Sequence, residues 1–125
     1  MVKLSVIIPT YNEERGVEAT LRSISSQTLP RDDYEIIVVD GGSTDNTVKI
    51  ASKYADLVIQ QKSKGVGGAR NDGVAVARGR VVVHTDADVI VRNDWLQQIL
   101  SYFSLGVVAV CGPDEPLEPD PKYKV

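Results

Sequence analysis

The stretch Val81–Asp88, which reads VVVHTDAD, decides the fold class because a run of β-branched residues ends abruptly in two carboxylates. Such a run favours a buried strand, and polar groups directly after it lie at the carboxyl edge of a sheet, where open α/β folds bind ligands. Side chains at i and i+2 of an extended segment point the same way, so we expect Asp86 and Asp88 to converge on one cation. Paired carboxylates with open coordination positions suit Mg²⁺ or Mn²⁺ carrying a phosphate. The alternative is a solvated turn, since Asp is common wherever strands stop.

His84 lies inside the same stretch and shares a strand face with Val82 and Asp86. A histidine in this position is more often packed and hydrogen-bonded than a metal ligand. We therefore expect His84 to be a packed strand residue.

The composition is that of one soluble domain: 125 residues, of which 42% are hydrophobic and 25% charged. The net charge of -3 gives no electrostatic footprint for nucleic acid, so no nucleic-acid partner is expected. No apolar run approaches the ~18 residues of a transmembrane helix, and Met1–Lys3 lacks the features of a signal peptide, so we expect a cytoplasmic protein. The single Cys111 excludes a disulfide framework.

Working outward from this stretch, four other segments have strand patterns, namely Leu4–Ile8, Tyr34–Val39, Asp56–Gln60 and Val107–Cys111. Helical spacing of apolar residues lies between them, over about 13–27, 48–54, 69–77 and 95–103. This alternation predicts an α/β fold with three layers, a mostly parallel sheet flanked by helices, of the Rossmann-like kind. Asn12 is expected to cap the first helix and Gly79 to take the C-cap role after the third. Residues 1–112 form the predicted domain, and 113–125 a Pro-rich acidic tail that is extended or disordered.

Asp40 is a second acid at the end of a strand, directly after Tyr34–Val39. Because the ends of parallel strands share one edge, we expect Asp40 to face the same ligand region as Asp86 and Asp88. The alternative is that Asp40 only caps the turn that follows it.

The loop Lys62–Arg70 combines basic residues with glycines. A dinucleotide fingerprint is disfavoured, because Arg70 occupies the position of its third glycine and the fingerprint belongs to a first βα turn. A phosphate loop is excluded, since Gly-Lys-Ser and Gly-Lys-Thr do not occur. The remaining predictions are a mobile basic loop that faces an anionic or nucleotide ligand, and a plain surface loop.

Four motifs together resemble the nucleotide-sugar-binding half of family 2 glycosyltransferases, which have the GT-A fold of nucleotide-diphospho-sugar transferases. They are VIIPTYNE at Val6–Glu13, EIIVVDGGSTD at Glu35–Asp45, GARN at Gly68–Asn71 and TDAD at Thr85–Asp88. The motifs follow the family's order, and the resemblance extends to Gly112. It implies a glycosyltransferase that takes a sugar from a nucleotide-diphosphate sugar, such as a UDP- or GDP-sugar, with Mn²⁺ or Mg²⁺.

The resemblance also implies roles for residues at matching positions. The Tyr11 ring would lie against the base, Asp40 would accept a hydrogen bond from the base, and Arg70 would lie near the base or phosphates. Asp86 would contact the ribose or the metal, and Asp88 would be the main metal ligand. The full set implied for the nucleotide is Pro9, Thr10, Tyr11, Glu13, Asp40, Gly41, Ser43, Arg70 and Asp86.

The catalytic residue is not found in the sequence. Family members usually use an acidic general base in an inverting displacement, and the acids beyond the fifth strand do not match that motif. The alternative function is therefore a non-catalytic or truncated nucleotide-sugar-binding module, with a dehydrogenase as a more distant third. A homo-oligomer or a partner subunit that supplies the acceptor site, and a peripheral contact with a membrane, also stay open.

Overall fold

The computed structural model describes residues 1–104, which form four strands and four helices in strict alternation. In chain order they are β1 (Leu4–Thr10), α1 (Val17–Ser25), β2 (Tyr34–Asp40), α2 (Thr47–Ala51), β3 (Leu57–Gln60), α3 (Gly65–Val76), β4 (Val81–His84) and α4 (Trp95–Ser104). Among these helices, none is both long enough and apolar enough to cross a bilayer. The predicted fifth strand, the domain boundary at 112 and the tail 113–125 lie outside the described residues.

The four strands form one parallel sheet in the order β3-β2-β1-β4. Thr10 on β1 is in register with Asp40 on β2, and Asp40 is in register with Gln60 on β3. These three strands therefore end at the same level. The residues that follow them leave the sheet side by side.

Helices cover both faces of the sheet, which confirms the predicted three-layer α/β fold for the described strands. The larger core combines fully buried residues of β1 and β2 with Leu21 of α1, Ala51 of α2 and Leu96 of α4. The smaller core on the opposite face joins Ile7 and Ile37 to Ala69 of α3. Continuous apolar strands are expected when both faces are covered, and β1 and β2 are buried along almost their whole length.

The predicted cap at Asn12 is wrong. α1 begins only at Val17, after Gly16, and no side chain caps it. Asn12 instead has a left-handed backbone, with φ of 50°. Its side-chain Oδ1 accepts a hydrogen bond from the backbone amide of Thr44 at 2.8 Å, and its backbone amide donates to Ser43 Oγ at 2.9 Å. The side chain is used to join two loops.

The predicted loop up to Arg70 is also wrong from Gly65 onward, because α3 begins there. Tertiary contacts override the low helix propensity of glycine. Asp72 of α3 accepts hydrogen bonds from the amides of Lys62 and Ser63, and a Cβ on Gly68 would lie 2.6 Å from the Ser63 carbonyl carbon. Gly68 therefore permits the close approach of the preceding segment.

Gly79 does not cap α3, which ends at Val76 with Ala77 in extended conformation. A Cβ on Gly79 would lie 2.5 Å from the Leu4 carbonyl carbon, and its amide donates to Ser5 Oγ at 2.8 Å. Only glycine fits here because the chain passes directly against β1.

Candidate functional site

A cavity of about 440 Å³ opens at the carboxyl edge of the sheet. It is bordered by segments that follow all four strands. Its lining residues are Pro9, Thr10, Tyr11, Glu13, Gly41, Gln61, Gly65, Val66, Ala69, Asp86, Ala87 and Asp88. The Tyr11 side chain is exposed to 60%, so its ring is available to a ligand.

Asp40 lies behind the cavity and is only 1% exposed. Its Oδ1 accepts hydrogen bonds from the Thr10 hydroxyl at 2.8 Å and the Ser43 hydroxyl at 2.6 Å. Its Oδ2 accepts hydrogen bonds from the amides of Gly42 at 3.1 Å and Ser43 at 2.8 Å. Burial raises the pKa of Asp40, but the hydrogen bonds from Ser43, Thr10 and Gly42 outweigh it and hold the pKa below its usual value. Asp40 therefore caps the turn that follows β2, which is the alternative interpretation given above. A contact of Asp40 with a base stays a prediction.

Hydrogen bonds also join the loop after β1 to the loop after β2. Beyond the contacts of Asn12, the Glu13 amide donates to Thr47 Oγ1 at 2.8 Å, and the Thr47 amide donates to Asp45 Oδ1 at 2.9 Å. The Asn46 amide donates to Glu14 Oε2 at 3.1 Å. These hydrogen bonds fix the two loops relative to each other.

Three carboxylates, those of Glu13, Asp86 and Asp88, line the cavity. Burial raises the pKa of Glu13, and the negative charges of Asp88, Asp45 and Asp86 raise it further. These neighbouring carboxylates add to the effect of burial at Glu13, so a cation near them would be attracted. Within residues 1–104, no group of three or more His, Cys, Asp or Glu side chains is arranged to hold a metal ion.

The turn that carries Asp86 and Asp88 is anchored from α1. Thr20 Oγ1 donates to the Ala87 carbonyl oxygen at 2.8 Å, and Ala87 is buried between the two acids. A Cβ on Gly16 would lie 3.7 Å from the Asp88 Cα, which places the start of α1 against this turn. Neighbouring structure therefore fixes the backbone of the acidic turn, while both acidic side chains stay exposed.

Arg70 lies beside the cavity, with Nη2 3.9 Å from Asp86 Oδ1. Its Nε is buried and has no hydrogen-bond partner in the part of the chain that the structure describes. The rest of the side chain is partly exposed beside a carboxylate and an open pocket, so the guanidinium can contact an anionic group.

The expectation for His84 is wrong, since the side chain is exposed and its imidazole makes no hydrogen bond within residues 1–104. The reason is that β4 is an edge strand, while α3 packs on β1 and β2. Partial burial, and secondarily the positive charge of Arg70, lower the pKa of His84.

The structure brings most of the predicted site residues to one cavity. Pro9, Thr10, Tyr11, Glu13, Gly41, Asp86 and Asp88 line it, whereas Asp40, Ser43 and Arg70 lie behind or beside it. Gly65, Val66 and Ala69 of the predicted ligand-facing segment also line it, and Gln61 lines it without having been predicted. The available signal for Gln61 was its position directly after a strand, one residue beyond the register partner of Asp40.

Comparisons with a family model and with curated proteins point to the same family. The model of the family described as Glycosyl transferase family 2 matches residues 5–121. Among curated proteins, the glycosyltransferase AglE of Haloferax volcanii is 35% identical over 107 residues, which cover 81% of this chain and 35% of AglE.

Solved structures agree in both sequence and fold. S. aureus TarS, residues 1–349 in complex with UDP, is 34% identical with a TM-score of 0.77, over 83% of this chain and 32% of that one. The mannosyltransferase PcManGT of Pyrobaculum calidifontis, in complex with GDP-Man and Mn²⁺, is 32% identical with a TM-score of 0.75, over 82% of this chain and 32% of that one. The chain thus spans about a third of the length of these relatives.

Proposed function

Because the chain belongs to glycosyl transferase family 2, we propose that it forms the donor-binding part of a transferase that moves a sugar from a nucleotide-diphosphate sugar to an acceptor. The observation that carries this proposal is the cavity at the sheet edge, where an exposed Tyr11 ring and three carboxylates face one space. An aromatic ring suits a base, and clustered carboxylates suit the cation that accompanies a diphosphate.

The carboxylates of the cavity fit a divalent cation that is bound together with a phosphate. Asp86 and Asp88 would hold the ion, because Mg²⁺ and related ions in such sites use one or two carboxylates plus substrate phosphates and water. Burial is the main cause of the raised pKa of Glu13, and the negative charges of Asp88 and Asp86 add to it, so Glu13 lies near both acids. When bound, the cation supplies Lewis-acid stabilisation of the charge that gathers on the departing nucleoside diphosphate.

The chain's own residues would bind and orient the nucleotide. We assign the Tyr11 ring to the base, Pro9, Thr10 and Gly41 to the pocket floor, and Arg70 to the phosphates. Asp40 and Ser43 would act by holding the loop after β2 in shape. Because UDP and GDP-Man occupy the structures of TarS and PcManGT, a UDP- or GDP-sugar is the proposed donor.

Binding the acceptor and deprotonating its hydroxyl require groups outside this cavity. An inverting displacement needs a base to deprotonate the incoming hydroxyl, and the cavity's acids are assigned to the cation and the donor. The larger part of each relative lies outside the region that matches this chain. We propose that the base and the acceptor site belong to that further part or to a partner subunit. The second candidate, a binding module without transfer, rests on the same observation.

Acceptor-dependent release of nucleoside diphosphate separates the two candidates. The chain is incubated with Mn²⁺ and panels of UDP- and GDP-sugars, with and without sugar and polyol-phosphate acceptors. Release that rises with an acceptor supports the transferase and would overturn the placement of the base outside this cavity. Binding of donor without release by this chain is expected of both candidates, which then separate on whether acceptor-dependent release appears when the partner subunit or the further part is supplied. Absence of both binding and release contradicts both.

The cation is tested separately by calorimetric titration of UDP and GDP, with Mn²⁺ and with a chelator. We expect binding to weaken strongly in the chelator. Asp88→Asn should abolish most of the cation dependence because one of two anionic ligands is lost, whereas His84→Ala should retain it. Equal affinity in Mn²⁺ and chelator would remove the cation from the proposal.

A further inference from the structure

We propose that Thr20 is a positioning residue for the cation: its hydroxyl holds the backbone between Asp86 and Asp88 so that both carboxylates can reach the same ion. This inference rests on the proposed function, because it assigns a task within the proposed cation site. Thr20 lies in α1, is fully buried and does not line the cavity. It therefore acts on the ion only through the acidic turn.

The segment between β4 and α4 depends on α1 for its shape. Residues 85–94 contain no helix or strand, so their backbone groups need partners from elsewhere. Side chains from one side of α1 and from just after its end bind this segment through hydrogen bonds. The pairs are Thr20 with Ala87, Ser23 with Val91, and Gln27 with Arg92 and Leu96. Of these pairs, that of Thr20 lies within the acidic turn, and the others lie beyond it.

The Thr20 hydroxyl has two acceptors within reach but only one proton. Oγ1 lies 2.8 Å from the Ala87 carbonyl oxygen and 3.3 Å from the Gly16 carbonyl oxygen of the preceding turn of the helix. A threonine inside a helix often donates to the carbonyl four residues before it, but here the shorter distance favours the acidic turn. Both Thr20 and Ala87 are buried, so water does not compete for this hydrogen bond.

This hydrogen bond fixes the peptide group that joins Ala87 to Asp88. The Ala87 carbonyl, the Asp88 amide nitrogen and the Asp88 Cα lie in one plane, because the peptide bond is planar. Ala87 also packs in the larger core, and before it the Thr85 amide donates to the Ile7 carbonyl oxygen at 3.2 Å. The backbone from Thr85 to Asp88 is therefore held from several sides.

A fixed backbone matters here because the two acids carry the same charge. Ala87 packs in the core, and the acids on either side of it are exposed and line the cavity. Without a cation, two carboxylates that share a site repel each other, and on a mobile turn they would move apart. Each binding event would then have to order the turn again. A turn that is already ordered binds the cation more tightly, because this cost is avoided.

Thr20→Val tests the hydroxyl with almost no change in side-chain size. We expect the Mn²⁺ concentration that gives half of the maximal gain in UDP affinity, the Mn²⁺ midpoint, to rise about tenfold, as for residues that orient metal ligands. The affinity for UDP in chelator should not change, because Thr20 does not line the cavity. Thr20→Ser keeps the donor and should keep the wild-type Mn²⁺ midpoint.

Gln27→Leu is the matched control for a merely structural role. It is also close in size to the wild type, and it removes two hydrogen bonds between the end of α1 and the same segment, at Arg92 and Leu96. It should lower the stability towards urea, as Thr20→Val does, without moving the Mn²⁺ midpoint. Calorimetric titration of UDP at a series of Mn²⁺ concentrations and in chelator gives the midpoint for each folded variant.

Three results would overturn the role of Thr20 and leave the proposed function standing. They are an unchanged Mn²⁺ midpoint in Thr20→Val, an equal shift in Gln27→Leu, and a shift in Thr20→Ser as large as that in Thr20→Val. If Thr20→Val does not fold, Ala87→Gly loosens the same turn by freeing its backbone, and an unchanged midpoint there would overturn the inference. Wild-type protein whose UDP affinity is independent of Mn²⁺, or that binds no UDP, would overturn the proposed cation site itself.

Discussion

Among individual residues, the buried Asp40 carboxylate organises the edge on which the cavity is built. We expect Asp40→Asn to lower the free energy of unfolding by about 2 to 4 kcal/mol, because an amide NH₂ would face donors that now share a carboxylate oxygen. Urea unfolding followed by circular dichroism measures the change. The four hydrogen bonds to Asp40 come from the β1 end and the β2 loop, so the loss should also weaken nucleotide binding.

Asp32→Asn is the control for removal of one negative charge, since Asp32 is exposed and lies away from the cavity. It should change the free energy of unfolding by less than about 0.5 kcal/mol. Equal effects of the two substitutions would show that the hydrogen bonds to Asp40 contribute little.

The sequence predicted that Asp40, Asp86 and Asp88 gather at one edge, because strand ends in a parallel sheet must meet. It could not predict that Asp40 is fully engaged, since this depends on how the Thr10 and Ser43 hydroxyls are turned. Gln61 escaped notice for a related reason. Glutamine is common on surfaces, and only the register of β2 with β3 brings it to the cavity.

In the helix α3, two glycines provide a matched pair for the packing of the helix on the sheet. A Cβ on Gly73 would lie 2.5 Å from Ile7 Cγ2 in the smaller core, whereas a Cβ on Gly67 meets nothing within 4 Å. Gly73→Ala should therefore destabilise the protein by about 1 to 3 kcal/mol through overpacking. Gly67→Ala should be neutral or stabilise it by up to about 1 kcal/mol through helix propensity.

Urea unfolding of both variants measures the difference. Each is the same chemical change in the same helix, so their opposite signs would isolate the contact with Ile7. Destabilisation by both substitutions to the same extent would mean that α3 does not pack on β1 as closely as described.

Glu35 joins three elements at the edge of the sheet opposite the cavity and is nearly buried, with a side chain 5% exposed. Burial raises the pKa of Glu35, but hydrogen bonds from the Ser5 hydroxyl and from the amide and guanidinium of Arg78 outweigh it, and the pKa lies below its ordinary value of 4.5. A carboxyl whose pKa is lower in the folded state stabilises the protein above its unfolded pKa, and this stability is lost as pH falls through the folded pKa.

We therefore expect the free energy of unfolding to fall as the pH drops below about 4.5, and to fall less steeply in Glu35→Gln. Urea unfolding across this pH range, with Asp32→Asn at an exposed position as the charge control, gives the slopes. An unchanged slope in Glu35→Gln would show that ionised Glu35 is not favoured by folding.

The strands were the most predictable elements, because β1 and β2 are buried on both faces and their apolar runs are continuous. The start of α3 was not predictable from local sequence. The glycines between Gly65 and Gly68 argue against a helix, and the contacts that favour it join Asp72 to the amides of Lys62 and Ser63, ten and nine residues earlier. Gly68 permits the close approach of Ser63, whereas a Cβ on Gly65 or Gly67 would meet nothing within 4 Å.

Over the whole described domain, ligand binding and stability are connected through the sheet. The cavity is bordered by segments that follow all four strands, and the cores on both faces meet the same strands. A ligand that bridges these segments binds the folded chain only, so it must raise the free energy of unfolding of the whole domain. The size of that rise reports affinity without an enzymatic assay.

The last prediction is that nucleotide and cation stabilise the domain cooperatively. The acids Asp86 and Asp88 repel one another without a cation, and a diphosphate near them is repelled as well, so each ligand should bind weakly alone. Together each supplies the charge that the other lacks, and this coupling is reciprocal. The rise in Tm with UDP and Mn²⁺ together should therefore exceed the sum of the separate rises, by several degrees when the pair is near saturation. Asp88→Asn should remove most of this excess and Asp32→Asn should keep it, whereas strictly additive shifts in the wild type would mean that cation and nucleotide occupy independent sites.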